Sequence, residues 1–204
     1  MLTRIRLRIF RRFRRSEKGL AAVEFALILP VMITMLFGMG ELSMAVFART
    51  DITQIASTVA DLVAQESAPS STDLQNVYRA AYTILYPFKN KPTIRVTSIN
   101  YDSTAADPGW TGKVSWTCTS PGGTGSLTGT TPKANNAYSI TKPSGATQAM
   151  LSSGGSVLMV EVAYTYASPT SQVVLGSYNY TDKFYTKPRR VGQLPSPGTC
   201  PTST

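Results

Sequence analysis

The sequence predicts an α+β protein. A long N-terminal transmembrane helix continues into an amphipathic stalk, and a second short helix and a small antiparallel β-sheet head follow. Three observations support this fold class: an apolar zone from Leu20 to Phe47, helical spacing of apolar residues after it, and strand-like alternation beyond Pro92. At 204 residues the chain has room for one membrane segment and one modest globular domain.

The positive charge of the chain is concentrated before the apolar zone. Residues 1–19 carry eight basic side chains and one acid, a local charge of +7, so the rest of the chain carries +2 of the total of +9. Between Glu41 and Gln75 the only basic residue is Arg49. By the positive-inside rule, this asymmetry predicts a cytoplasmic N-terminus and an exported C-terminal part.

The apolar zone is long enough to cross a bilayer. Its uncharged centre, residues 25–40, is short, but the wider zone of 28 residues from Leu20 to Phe47 is interrupted only by Glu24 and Glu41. As a helix it extends roughly 42 Å, against a hydrocarbon core of about 30 Å, so both glutamates can lie near the interfaces. We predict a transmembrane helix over 20–48 and a stalk helix over 49–67.

A cleaved secretory signal is the alternative interpretation of this zone. Ser43, Met44 and Ala45 resemble a small-x-small cleavage site, which would give a mature protein that starts near Val46. The zone is longer than the usual apolar region of a signal peptide, about 7–15 residues, and it contains Glu24. These features favour an anchor.

The exported region, residues 68–204, is predicted to fold as an α+β head. The stalk carries an apolar stripe that packs either on the chain's own sheet or on neighbouring subunits, and a helix over 72–86 follows the break at Ala68 to Ser71. The β-rich part, 92–204, contains four predicted strands at 94–101, 113–118, 156–166 and 178–185. The segments 120–126 and 143–155 are rich in Gly, Ser, Thr and Pro, which predicts surface loops.

The two cysteines, Cys118 and Cys200, both follow the apolar zone. Val114, Trp116 and Cys118 alternate onto one face of a strand, which directs Cys118 toward the core. An oxidising compartment would let Cys118 pair with Cys200, and two free thiols are the alternative.

Composition argues against catalysis and against nucleic-acid binding. The chain has no histidine, and two cysteines do not make a four-ligand zinc site. Composition alone leaves open a serine–lysine catalyst, or Asn100, Asp102 and Asp107 as weak calcium ligands. We expect no catalytic residues, no metal, no cofactor and no nucleic-acid partner, because the basic leader is explained by membrane topology.

The junction between leader and helix carries a recognisable motif. It reads SEKGLAAVEF over residues 16–25, with Gly19 before the apolar helix and Glu24 as the fifth residue after it, followed by Phe25. This segment resembles a type IV prepilin processing site. With Pro30 inside the helix and Glu41 after a glycine, residues 19–65 resemble the TadE-like family of minor pilins, or pseudopilins, of tight-adherence (Flp-type) pilus systems.

The resemblance implies processing and assembly. A prepilin peptidase would cleave between Gly19 and Leu20 and remove the leader. Glu24 and Phe25 would serve recognition during processing and assembly. In assembly, the Glu24 carboxylate can pair with the new α-amino group of Leu20 on a neighbouring subunit. Solvation of Glu24 by lipid headgroups is the alternative. Pro30 removes one helical hydrogen bond, which predicts either a kink or a simple irregularity.

The resemblance also implies partners and a location. The partners would be the prepilin peptidase, other pilins or pseudopilins, the pilus assembly platform and membrane lipid. The protein would cross the bacterial inner membrane once, with a periplasmic head, before incorporation in a surface pilus. The alternative function is a membrane-anchored periplasmic binding or adhesive module that never joins a filament.

Overall fold

The computed structural model of the protein describes residues 19–167 and 176–202. The predicted basic leader is residues 1–19, and all of it except Gly19 lies outside the described residues. The described parts contain two helices followed by a five-stranded antiparallel sheet, which confirms the predicted α+β class.

The first helix, α1, extends over Leu20–Ala64 and is continuous through Pro30. It ends before Gln65, whose amide donates to the carbonyls of Asp61 and Leu62. The predicted membrane helix and stalk are therefore one 45-residue helix. The kink expected at Pro30 stays a prediction.

The two halves of α1 have different surroundings. Up to Gly40 the helix is not buried by any other described residue, whereas from Glu41 onward one stripe is buried against the head. The stripe repeats at three- and four-residue spacing, and its alanines let the helix approach the sheet closely. Its members are Ala45, Ala48, Ile52, Ile55, Ala56, Val59, Ala60, Val63 and Ala64. The stalk stripe thus packs on the chain's own sheet.

The second helix, α2, extends over Ser71–Ile84, close to the predicted 72–86. Ser70 and Asp73 form a capping box in which each side chain bonds to the other residue's amide. Leu74, Tyr78 and Ala81 form the buried face of α2. The Tyr78 hydroxyl donates to the Cys118 carbonyl at 3.3 Å, which links α2 to the sheet.

The sheet has the strand order β3-β2-β1-β4-β5, and all neighbours are antiparallel. The strands are β1 Thr93–Tyr101, β2 Thr111–Thr119, β3 Ala137–Ser139, β4 Ser156–Ala167 and β5 Ser177–Thr186. Four of them match the predicted strands within two residues. The three-residue β3 was not predicted because it is too short to show an alternating pattern.

Each face of the sheet carries its own apolar cluster. The face toward α1 and α2 includes Ile94, Val96, Trp116, Leu158, Val160 and Val162. The opposite face carries a smaller cluster of Ile99, Trp110, Ile140, Leu151, Val157 and Met159. Because both faces are covered, β4 is buried along nearly its whole length.

The loop segments cover that second face rather than simply connecting strands. Thr93 donates to the Gly125 carbonyl at 2.7 Å, and the Ser126 amide donates to the Asn179 side chain at 3.0 Å. A Cβ on Gly125 would lie 2.1 Å from the Ala163 carbonyl carbon, so only glycine allows this approach. The prediction of surface loops is therefore incomplete, because glycine also permits close packing.

The C-terminal segment returns to both helix and sheet. The Arg189 amide donates to the Ala64 carbonyl at 2.9 Å, and the Trp116 indole donates to the Leu194 carbonyl at 3.2 Å. Further along the same segment, a disulfide joins Cys200 to Cys118 on β2, across 82 residues of sequence. The segment is thus fixed at three places.

Candidate functional site

The N-terminal half of α1 presents an apolar surface that is left uncovered by the part of the chain that the structure describes. Every side chain from Leu20 to Phe37 is exposed, including Leu27 at 72% and Leu36 at 70%. Exposed apolar side chains continue as far as Phe47, and residues 20–47 extend about 42 Å at 1.5 Å per residue, enough to cross a hydrocarbon core of about 30 Å. Within the described residues, α1 alone is long and apolar enough to cross a membrane, with a mean hydropathy of 2.3 in its most apolar window.

Hydroxyl groups on this surface are satisfied within the helix. Thr34 donates to the Val31 carbonyl and Ser43 donates to the Met39 carbonyl, both at 2.9 Å. Such bonds to the preceding turn allow Ser and Thr to lie in an apolar medium without losing a hydrogen bond. The surface is therefore compatible with lipid or with other apolar helices.

Gly19 stands directly before α1, and nothing in residues 19–167 or 176–202 requires a glycine there. Its φ is −88°, which any residue adopts, and a Cβ would meet nothing within 4 Å. At Gly112 and Gly125, by contrast, a Cβ would collide with backbone atoms. A requirement for glycine at position 19 would therefore arise from something that approaches the junction from outside.

Leu20, Glu24 and Phe25 lie together on the first turns of α1. All three are exposed, Leu20 at 64% and Phe25 at 59%. Glu24 is four residues after Leu20, so the two positions share one side of the helix. The Glu24 carboxylate makes no hydrogen bond or ion pair with another described residue, so it is available to a partner outside the chain.

Glu41 marks the point where the head begins to cover α1. It is only 3% exposed, although Leu42 beside it is 57% exposed. Tyr166, at the end of β4, is close enough that the Glu41 charge acts on it. Burial raises the pKa of the Tyr166 hydroxyl, and the charges of Glu41 and Tyr180 raise it further. Sequence reasoning placed Glu41 near an interface but did not find this packing, which depends on β4.

Asp102 and Asn100, two of the three residues considered as calcium ligands, have other partners. Asp102 accepts hydrogen bonds from Thr104 and pairs with Lys113 at 3.0 Å. The hydrogen bonds from Thr104, and then Lys113, lower the pKa of Asp102 to about 2. Asn100 donates to Gln193 at 3.3 Å. Across residues 19–167 and 176–202, no group of three His, Cys, Asp or Glu side chains is placed to hold a metal ion.

The candidate site residues fall into two separate places. Gly19, Leu20, Glu24 and Phe25 gather at the start of α1, with Pro30 further along the same exposed surface. Cys118 and Cys200 lie in the head, near the C-terminal end of β2, and are not part of that surface. The geometry thus separates a junction and apolar helix from a disulfide that secures the head.

Comparison with known proteins shows a similarity over the helical part of the chain. The profile of a family described as "TadE-like protein" matches residues 19–61, which are 43 of the 204 residues. The match confirms the resemblance predicted from the sequence, and it begins at Gly19. Neither the curated proteins nor the solved structures include a match. Over residues 19–61 the chain is similar to the TadE-like family.

Proposed function

We propose that this protein is a non-enzymatic minor pilin, or pseudopilin, that takes part in assembly of a tight-adherence (Flp-type) type IV pilus. The observation that carries the proposal is the start of α1, where an unconstrained Gly19 precedes an uncovered apolar helix that matches the TadE-like profile. The proposal assigns that helix two tasks, processing at its beginning and assembly along its exposed length.

Processing is the first step of the proposal. A prepilin peptidase cleaves the Gly19–Leu20 peptide bond, which releases the leader and leaves an α-amino group on Leu20. The exposed position of the junction, at the start of α1, supports access by a membrane peptidase. Among the described residues nothing would clash with a side chain at position 19, which agrees with selection of Gly19 by that enzyme.

Assembly is the second step. A carboxylate drawn to the bilayer centre costs about 2.5–3.5 kcal/mol, so Glu24 on an uncovered helix is stabilised by a cationic partner. The new α-amino group of Leu20 on a neighbouring subunit supplies such a cation. Because that group exists only after cleavage, packing of subunits then depends on processing.

The charge of the leader sets the orientation in this proposal. Residues 1–19 carry +7, so the N-terminus stays in the cytoplasm and the head lies in the periplasm. The disulfide between Cys118 and Cys200 supports this orientation, because disulfides persist in the periplasm and are rare in the cytoplasm. Partners are the peptidase, other pilins and the assembly platform.

A glycine substitution with a matched control tests the processing step. Gly40 lies on the same helix, and a Cβ there also meets nothing within 4 Å. Expressed with a prepilin peptidase, Gly19→Leu should keep its leader and abolish piliation, whereas Gly40→Leu should be trimmed like the unchanged protein. Trimming of Gly19→Leu at the normal rate would contradict the proposal. An untrimmed wild-type chain would favour the anchored periplasmic module instead.

A further inference from the structure

A small polar cavity lies between α1 and β5, away from the processing junction. Its volume is about 50 Å³, and it is lined by Arg49, Ile52, Thr53, Tyr180, Thr181 and Asp182. One wall is therefore helix and the other is the edge strand of the sheet. Because both elements belong to the packed head, the two walls are held at a fixed separation.

An apolar stripe of α1 leads from the membrane side directly into this cavity. Leu42, Val46, Arg49 and Thr53 are spaced by four, three and four residues, so they share one side of the helix. Leu42 and Val46 are both more than half exposed. A chain-like apolar molecule that lies along this stripe would bring its polar end to Arg49.

The cavity lies at the level of lipid headgroups if α1 spans the membrane as proposed above, and the inference rests on that proposal. Phe47 is the last large exposed hydrophobic residue of α1. Residues 20–47 extend about 42 Å, which equals the thickness of a bilayer with its headgroup layers, about 40–45 Å. Arg49 therefore stands at the outer headgroup layer, where arginine side chains reach back toward phosphates.

Two opposite charges line the cavity without pairing with each other. The Arg49 guanidinium and the Asp182 carboxylate form no ion pair, although both belong to the cavity wall. The Asp182 carboxylate is held in place by Thr53, whose hydroxyl donates to it at 2.6 Å, and by the Lys183 amide at 2.8 Å. A fixed anion and a nearby cation thus face the same small space.

We propose that this cavity binds the headgroup of a phospholipid that carries both a phosphate and a primary ammonium group. Arg49 binds the phosphate through charge-assisted hydrogen bonds, and Asp182 accepts hydrogen bonds from the ammonium. Leu42 and Val46 contact an acyl chain of the same lipid. A lipid with a phosphate but no ammonium is disfavoured because Asp182 repels it.

Lipid retention by the detergent-solubilised full chain tests this site. The protein is mixed with equal amounts of phosphatidylethanolamine, phosphatidylglycerol and phosphatidylcholine of identical acyl chains, and retained lipid is identified by native mass spectrometry. We expect about tenfold preference for phosphatidylethanolamine, the factor expected for one hydrogen bond to a charged group. Equal retention of the three lipids would overturn the proposal.

Three variants test whether lipid retention depends on this cavity. Arg49→Gln should lose retention of phosphatidylethanolamine, while Asp182→Asn should lose the preference but keep binding of phosphate lipids, because asparagine still accepts from Thr53. Arg79→Gln on α2 removes the same charge from an exposed position outside the cavity and should behave as the unchanged protein. If Arg79→Gln and Arg49→Gln lower retention equally, the effect is general charge and the site is refuted.

Two further measurements separate the alternatives. Free phosphoethanolamine, which has the headgroup but no acyl chain, should displace much less bound lipid than the same concentration of phosphatidylethanolamine. If the two compounds displace bound lipid equally, Leu42 and Val46 have no role in binding. Loss of self-association in Arg49→Gln with unchanged lipid retention would assign the cavity to a second copy of the chain and overturn the proposal.

Membrane insertion of the wild-type chain is measured separately. Without insertion the proposed function fails, whereas insertion without lipid preference refutes this site alone.

Discussion

Arg95 on β1 and Glu161 on β4 are direct partners across the sheet, and their side chains form an ion pair of 3.1 Å that is almost completely buried. Lys183 on β5 is the next partner in register and reaches the same carboxylate at 2.8 Å. One carboxylate thus links three adjacent strands. Such an arrangement is sensitive to loss of one member, because a buried charge then remains without its partner.

We predict that Glu161→Leu lowers the free energy of unfolding by about 3–5 kcal/mol, because it leaves Arg95 buried and uncompensated. The Arg95→Met/Glu161→Leu double variant should lose much less than the sum of the two single variants. Denaturant unfolding of the full chain in detergent measures all three. Additive losses would show that Arg95 and Glu161 do not act as a pair.

The disulfide should contribute strongly to head stability. Closing a loop of 82 residues stabilises the folded state by about 4–5 kcal/mol in the chain-entropy model. We therefore expect Cys200→Ser to unfold at a clearly lower denaturant concentration, and a reductant to lower the midpoint of the unchanged protein similarly. The Cys118→Ala/Cys200→Ser double variant should not respond to reductant. A response in that variant would show that the reductant acts elsewhere.

Truncation of an apolar side chain should destabilise the head in one half of α1 and have no effect in the other. Ile55 is fully buried against the head, so Ile55→Ala should cost about 2–5 kcal/mol of unfolding free energy. Leu36 is 70% exposed, so Leu36→Ala should leave head unfolding in detergent unchanged. Circular dichroism during thermal unfolding measures both. An equal loss in the two variants would contradict the separation of α1 into an uncovered and a packed half.

Gly125 should not tolerate a side chain. Its Cβ would overlap the Ala163 backbone, so Gly125→Ala should destabilise the head by about 1–3 kcal/mol through displacement of the loop from β4. Gly176→Ala is the matched control, since a Cβ there meets nothing within 4 Å. Thermal unfolding of both variants measures the loss of stability. If Gly125→Ala matches the control, the loop does not depend on close contact with β4.

The long elements of the fold could be predicted from sequence because their patterns are repeated many times. Apolar spacing identifies α1 and its buried stripe at Ile52, Ile55 and Val59, and alternation identifies four strands. The pairing of Arg95 with Glu161 could not be predicted, because it depends on the register of β1 against β4. The same holds for the burial of Glu41 and for the cavity at Arg49 and Asp182, which join residues distant in sequence.

Part of the candidate site could likewise be predicted from the sequence, and part could not. Gly19, Glu24 and Phe25 are recognisable from a short local motif, and the family profile begins at that glycine. The structure adds that no described residue lies within 4 Å of a Cβ at Gly19 and that Glu24 is exposed, which sequence alone does not show. The proposed cleavage after Gly19 would account for glycine at this position.

N-terminal sequencing of the mature protein, isolated from cells that contain the prepilin peptidase, tests the central claim most directly. The proposed processing predicts a first residue of Leu20, with Glu24 in fifth place. A mature protein that begins at Met1 would indicate an uncleaved anchor, and one that begins near Val46 would indicate a cleaved secretory signal. Either of these two results would contradict the proposed pilin function.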